Sequence, residues 1–379
     1  MTIDANSDDL ILGVVGAGAM GRGIVQVAAA GGCKVVLFDT NADAAKEAVD
    51  FVGNMLNRNV EKGRMAEEDA QAAIANIEVV ASLVGFAHCE IVIEAVVENL
   101  DIKNVVFREI EAAVSDETII ASNTSSLSVT TIAAACVRPE RVAGMHFFNP
   151  VPLMKLVEVI DGVRTARHVA GVLMDLGKRM TRTPVHVRDA PGFLVNQVGR
   201  GYNIECAHIA SDGVADYADI DRICRDAVGF RMGPFELMDL TAVDVTHPAT
   251  NLIYEQFYHE PRFRPATLMQ MQLDAGLLGR KVGQGFYRYE DGKAQVADEA
   301  PAPDFDGRPV WVSKVEPEAH EKLVAILHDA EAMLENGDTP SDDALILVTP
   351  IGGDATDCAV AEGLDAERTV AVDTLFGLD

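Results

Sequence analysis

Residues 10–39, LILGVVGAGAMGRGIVQVAAAGGCKVVLFD, decide the fold. Leu10–Val15 is a short apolar run of the kind found in a parallel strand covered on both faces. It leads into Gly16-Ala17-Gly18-Ala19-Met20-Gly21, which fits G-x-G-x-x-G, and then into the helical run Ile24–Ala30. Each glycine answers a separate demand: Gly16 a tight turn, Gly18 the approach of a pyrophosphate to the backbone, Gly21 close packing of helix on strand. Amides at the helix N-terminus, around Ala19 and Met20, would donate to the phosphates. A second strand, Lys34–Phe38, ends at Asp39, close to the spacing at which a carboxylate meets the adenosine ribose hydroxyls. Thr40 and Asn41 follow, with no arginine beside Asp39, so a 2'-phosphate would meet repulsion and NAD is favoured over NADP. The combination predicts an α/β, Rossmann-type doubly wound sheet. Its plainer alternative is a glycine turn that binds nothing.

At 379 residues the chain exceeds the size at which one core stops growing, so two or three domains are expected. No apolar run reaches the roughly 18 residues of a membrane span. The start, MTIDANSDD, lacks the basic and apolar regions of a signal peptide, which makes a cytoplasmic location the expectation. Cys33, Cys89, Cys136, Cys206, Cys224 and Cys358 lie scattered without a C-x-x-C pair, so neither a disulfide nor a metal site is expected. A formal net charge of -28 argues against nucleic acid or an anionic membrane as partner, because both need a basic footprint. An anionic ligand would need locally placed cations or helix N-termini.

Such a place is available. Ala42–Lys62 shows helical periodicity, with Ala45, Val49, Val52, Leu56 and Val60 on one face, and it runs into a polar hairpin at Glu61-Lys62-Gly63-Arg64. Arg58, Lys62 and Arg64 form a basic cluster, readable as a seat for a phosphate-bearing substrate tail or as a solvated helix end. Further on, Glu90–Val96 (EIVIEAV) is a strand that opens into Glu98 and Lys103. Ligands of open parallel sheets gather beyond the strands' carboxyl ends, so these two fall where a nicotinamide ribose would lie. An ion pair across the first helical turn is the alternative. The strand Thr118–Ser122 runs likewise into Asn123-Thr124-Ser125-Ser126, putting an amide and hydroxyls at the same edge, or simply a helix cap.

In residues 141–161, RVAGMHFFNPVPLMKLVEVID, His146 sits among apolar residues and Glu158 follows in a strand-like run. Oxidising an alcohol requires removal of the hydroxyl proton as hydride leaves carbon, and imidazole has the side-chain pKa nearest neutrality. A carboxylate on the other ring nitrogen would fix the tautomer and stabilise the imidazolium. A buried histidine satisfied by a backbone carbonyl is the plain alternative.

The segments GAGAMGRGI, Asp39, EAVVENLDIK, SNTSSL, GMHFFNPVPLMKLVEVI, DAPGFLVNQ, MGPFELMDLTAVD and GRKVGQGFYRY, in this order over roughly residues 10–290, resemble the L-3-hydroxyacyl-CoA dehydrogenases. The resemblance implies an NAD-binding Rossmann domain and an all-α domain that forms a homodimer. It also implies reversible oxidation of an L-3-hydroxyacyl-CoA to the 3-oxoacyl-CoA. It implies His146 as base and Glu158 as its partner, with Ser125 and Asn196 around the substrate oxygen. Glu98, Lys103, Asn123, Asn149 and Lys281 would lie near the cofactor, and Lys62 on the CoA side.

The domain divisions expected are a Rossmann domain over 1–188, a helical substrate and dimerisation domain over 189–290, a linker over 291–308 and a small α/β unit over 309–379. Asp189-Ala190-Pro191-Gly192-Phe193 announces the helices, among them Asp219–Val228 and Pro234–Phe257. In the tail, Val310–Ser313, Ala344–Thr349 and Thr369–Val372 read as strands, and His320–Leu334 and Asp354–Glu362 as helices. This unit resembles a Rossmann-like fragment of longer bacterial relatives, and it has no glycine fingerprint of its own. Two other readings stay open: a dehydrogenase of a non-CoA 3-hydroxy acid or sugar acid, and a non-catalytic NAD-binding assembly protein.

Overall fold

The computed structural model of the chain describes residues 3–296, 301 and 304–375. It divides into two compact units, Met1–Glu205 with His247–Ala266, and Cys206–Thr246 with Thr267–Asp379. The first therefore takes in more than residues 1–188, adding the start of one helix and a later helical segment.

The first unit begins with β1 (Ile11–Val15), α1 (Ala19–Ala30), β2 (Lys34–Phe38), α2 (Ala42–Glu61), α3 (Glu67–Ala75) and β3 (Ile77–Val79). There follow β4 (Ile91–Glu94), α4 (Leu100–Ala113), β5 (Ile119–Ser122), α5 (Val129–Ala133) and β6 (Val142–Phe147). Next come β7 (Leu156–Asp161), α6 (Arg167–Arg179), β8 (Thr183–Arg188) and the first part of α7 (Val195–Ser211). The eight strands form one sheet in the order β3-β2-β1-β4-β5-β6-β7-β8, parallel except where β6 meets β7. Successive strand residues serve opposite faces: Ile91, Ile93, Ile119 and Ala121 enter one core, Val92 and Ile120 the other. Burial on both faces is why these strands read as unbroken apolar runs. Asn41 and Asn99 cap α2 and α4 through their side-chain oxygens.

The second unit holds α8 (Tyr217–Arg222), α9 (Pro234–Thr241), the start of α10 (Val243–Gln256), α11 (Thr267–Asp274) and a hairpin of β9 (Arg288–Glu290) with β10 (Lys293–Gln295). Its tail forms β11 (Val310–Val312), α12 (Pro317–Asp329), β12 (Leu334–Glu335), β13 (Leu345–Val348), α13 (Ala355–Glu362) and β14 (Thr369–Ala371). These four strands make a parallel sheet in the order β12-β11-β13-β14, buried on both sides as in a small doubly wound unit. The expected linker overlaps β10, and its residues 297–300, 302 and 303 lie outside the described residues.

Three helices depart from the sequence reading. The helix expected over Pro234–Phe257 breaks at Ala242, whose φ of 71° turns the chain so that the Val243 N–H donates to the Leu278 carbonyl. The one expected over Asp219–Val228 ends at Arg222 and continues as a wider turn over Ile223–Ala227. The third stops at Asp329: Glu331 adopts a left-handed φ of 56°, and Leu334, counted with the helical apolar face, pairs in β12 instead. Among the described residues no helix is long and apolar enough to cross a membrane.

Candidate active site

Strand register brings the acid–base pair together. In the antiparallel pairing of β6 and β7, His146 stands directly opposite Glu158, which puts both side chains on one face within reach of each other. His146 Nδ1 lies 2.6 Å from Glu158 Oε2, with the imidazole 5% exposed and the carboxylate fully buried. A buried carboxylate needs its remaining lone pairs satisfied. Glu158 Oε1 accepts the N–H groups of Leu194 (2.9 Å) and Val195 (2.8 Å), where the start of α7 favours negative charge. Phe148 and Phe193 flank the imidazole at ring-centroid distances of 4.4 and 5.8 Å. With Nδ1 turned to the carboxylate, Nε2 is the ring nitrogen left to accept a proton.

Beside the pair, the loop after β5 is gathered onto one carboxylate. Glu98 Oε1 accepts the Thr124 hydroxyl (2.7 Å), the Ser125 N–H (2.9 Å), and the Ser126 N–H (3.1 Å) and hydroxyl (2.9 Å). Burial alone would raise the Glu98 pKa; the Lys103 charge and these hydrogen bonds outweigh it and hold the carboxyl below its ordinary value. Asn196, in the first turn of α7, donates from Nδ2 to the Ser125 carbonyl at 3.3 Å, so Ser125 and Asn196 meet. Asn123 accepts the Phe147 N–H on Oδ1 at 2.9 Å, tying the ends of β5 and β6.

The glycine turn has the shape that a dinucleotide pyrophosphate requires. A Cβ on Gly16, whose φ is 105°, would stand 2.6 Å from the Ala95 carbonyl oxygen, and one on Gly21 only 1.8 Å from that of Gly16. At Gly18 a Cβ would meet nothing within 4 Å, leaving the backbone open to a ligand. Ala19 and Met20 begin α1. Asp39, at the end of β2, accepts the Ala17 N–H at 2.7 Å and the Asn41 N–H at 2.8 Å, which holds its carboxylate at the turn. This donor-rich turn with an adjacent acid fits NAD.

Lys62 and Asn149 line one cavity of about 560 Å³ between α1, α2 and the loop after β6. Arg22, Arg58 and Arg64 line it too, so positive charge is concentrated there on a strongly acidic chain. Arg182 holds the loop by donating to the carbonyls of Val151, Pro152 and Met154. Lys281 belongs to the second unit, where it pairs with Asp244 at 2.5 Å.

Lys103 is 1% exposed, and its ammonium is engaged by Glu94 at 2.7 Å and Glu98 at 3.3 Å. The sequence reading missed Glu94, although a charge inside the run EIVIEAV was a visible signal that a partner must exist. It also missed Arg22, which stacks on Phe51 at 4.0 Å. Nothing local linked Arg22 to the α2 cluster.

Residues 11–190 match the family model described as 3-hydroxyacyl-CoA dehydrogenase, NAD binding domain, and residues 192–289 match the C-terminal domain of the same family. The chain is 39% identical over 302 residues to 3-hydroxyadipyl-CoA dehydrogenase of Escherichia coli K12, a match covering 79% of this chain and 63% of that protein. It is likewise 39% identical over 278 residues to the probable 3-hydroxybutyryl-CoA dehydrogenase of Bacillus subtilis, covering 73% of this chain and 96% of the relative. The crystal structure of (S)-3-hydroxybutyryl-CoA dehydrogenase from Ralstonia eutropha superposes with a TM-score of 0.72 at 37% identity, over 74% of this chain and 99% of that one. The chain belongs to the 3-hydroxyacyl-CoA dehydrogenase family and is an NAD-dependent oxidoreductase.

Proposed function

We propose that the chain oxidises an L-3-hydroxyacyl-CoA to the 3-oxoacyl-CoA, reversibly, with His146 as general base and Glu158 as its orienting partner. The observation that carries this reading is the 2.6 Å contact of a buried imidazole with a carboxylate that is itself anchored on α7. His146 Nε2 takes the hydroxyl proton, and Glu158 stabilises the imidazolium that results. Ser125 and Asn196, joined at 3.3 Å, hydrogen-bond the oxygen whose charge changes. NAD supplies the hydride acceptor. Gly16, Gly18, Ala19, Met20, Gly21 and Asp39 hold its adenosine and pyrophosphate half, and Glu98, Lys103, Asn123 and Asn149 are assigned to its nicotinamide half. The cavity with Arg22, Arg58, Lys62 and Arg64 receives the phosphate-bearing tail of the thioester, because opposite charge is concentrated there. The helical domain is assigned to a homodimer contact. The location assigned is the cytoplasm.

The test is NADH formation from a 3-hydroxyacyl-CoA and from the corresponding free acid, in the wild type and in His146→Gln. Turnover of the thioester should exceed that of the free acid, and the variant should lose about a hundredfold or more in kcat with NAD binding retained. A variant with wild-type turnover removes His146 from the reaction. Equal use of the free acid removes the CoA tail.

A further inference from the structure

We infer that Glu94 and Lys103 are positioning residues for the reaction: a buried ion pair that holds Glu98, and through it the Ser125 loop, against the reacting oxygen. The inference rests on the assignment of Ser125 to the substrate oxygen made above. Lys103 sits in α4 with its side chain 1% exposed, and its ammonium bridges Glu94 Oε1 at 2.7 Å and Glu98 Oε2 at 3.3 Å.

Glu94, the last residue of β4, is fully buried and satisfied on both oxygens. Oε1 also accepts the Val96 N–H at 2.6 Å, and Oε2 accepts the Ser122 hydroxyl at 2.7 Å. Ser122 ends β5, and its oxygen in turn accepts the Thr124 N–H at 3.2 Å. One carboxylate thus ties β4, β5 and α4 together just where the chain leaves the sheet for the Ser125 loop. On the far side of the ammonium, Glu98 Oε1 collects the donors of Thr124, Ser125 and Ser126, and the Ser125 carbonyl receives Asn196 Nδ2. The path from Glu94 to the two side chains assigned to the substrate oxygen is therefore a continuous chain of hydrogen bonds and ion pairs. Stability alone does not call for it, since apolar groups of equal volume serve a buried site as well or better than an ion pair. Fixed charge at the carboxyl ends of parallel strands stands where ligands of such sheets are bound.

Glu94→Gln keeps the side chain's shape and removes its charge. Single-turnover hydride transfer at saturating NAD should fall about tenfold, as for a displaced rather than deleted contact. Combining it with Ser125→Ala supplies the readout that a merely structural role would not move. In the Ser125→Ala background the same substitution should cost no more than about twofold, because the two act along one path. A loss that multiplies in full in the double variant overturns the inference. If Ser125→Ala is slow and Glu94→Gln is at the wild-type rate, the positioning role alone fails. If Ser125→Ala itself turns over at the wild-type rate, the assignment of Ser125 fails and this inference with it. Should Glu94→Gln not fold, Ser122→Ala removes one bond to Glu94 while keeping every charge, and takes its place in the same cycle.

Discussion

Buried carboxylates occur in both units, and they are answered differently. In the first, Glu94 meets the Lys103 ammonium and Glu158 meets an imidazole. In the second, Asp221 and Asp239, 1% and 0% exposed, meet chiefly neutral donors. Asp221 accepts the N–H groups of Phe235 and Glu236 and the Tyr287 hydroxyl; Asp239 accepts those of Phe286 and Tyr287 and the Tyr289 hydroxyl. Dipoles satisfy lone pairs without cancelling charge, so burial pushes both aspartates above their ordinary value, against the pull of those hydrogen bonds. Glu94 and Glu158, with a formal cation and a titratable partner, are among the residues assigned above to the reaction. At Asp221 and Asp239, joining helices to a turn is left to amides and hydroxyls.

The sharpest way to break this contrast is a pair of matched amides. Glu158→Gln should lower kcat by about 10²–10³-fold, because it removes the charge that orients and stabilises the imidazolium. Asp221→Asn should leave kcat within about threefold while lowering Tm, since an amide turns donors toward donors. Comparable kinetic losses in the two variants would erase the distinction. A smaller effect is expected at Gly233, where an added Cβ would lie 2.2 Å from the Asp221 carboxyl carbon. Gly233→Ala should cost about 1–3 kcal/mol, read as a lower urea midpoint at unchanged slope, and an unchanged midpoint would show that Asp221 is free to move.

The smallest effect is in pH dependence, and its sign differs between the units. Asp221 and Asp239 have raised values in the folded state, so their contribution is fully present below the unfolded value of about 3.9 and is lost as pH rises through the folded one. Glu98 has a lowered value, so its contribution is present above about 4.3 and is lost as pH falls through its folded value. Chemical denaturation of Glu98→Gln and Asp221→Asn across the acid range should show slopes that change in opposite directions. Slopes that change alike would contradict the assignment of cation to one carboxylate and dipoles to the other.

Much of the fold was legible because its signals are local. The glycine turn, Asp39 and the apolar strands each declare themselves within a few residues, and the strand predicted over Lys34–Phe38 is β2 as observed. His146 and Glu158 were legible as a pair because both lie in adjoining strand-like runs. Contacts set by distant packing were not. The union of Arg22 with Lys62 depends on how α1 lies along α2, and the ion pair of Lys103 with Glu94 depends on the path from β4 into α4. The break at Ala242 was hidden for a related reason: an alanine gives no sign of a positive φ, and the partner of Val243 is Leu278, more than thirty residues away. Leu334 misled because a strand residue just past a helix happened to fall in phase with its apolar face.

The pairing of β6 with β7 has a consequence for how such a chain can vary. Because alternate residues of a strand face opposite ways, sliding one strand past the other by a single position would leave the imidazole on one side of the sheet and its carboxylate on the other. The eight-residue connection from Phe148 to Lys155 can therefore change in composition, and even in length, only if the ladder behind it stays in step. Backbone pairing, not the side chains, is what guarantees the meeting, and it is complete once the sheet has formed, before any ligand arrives.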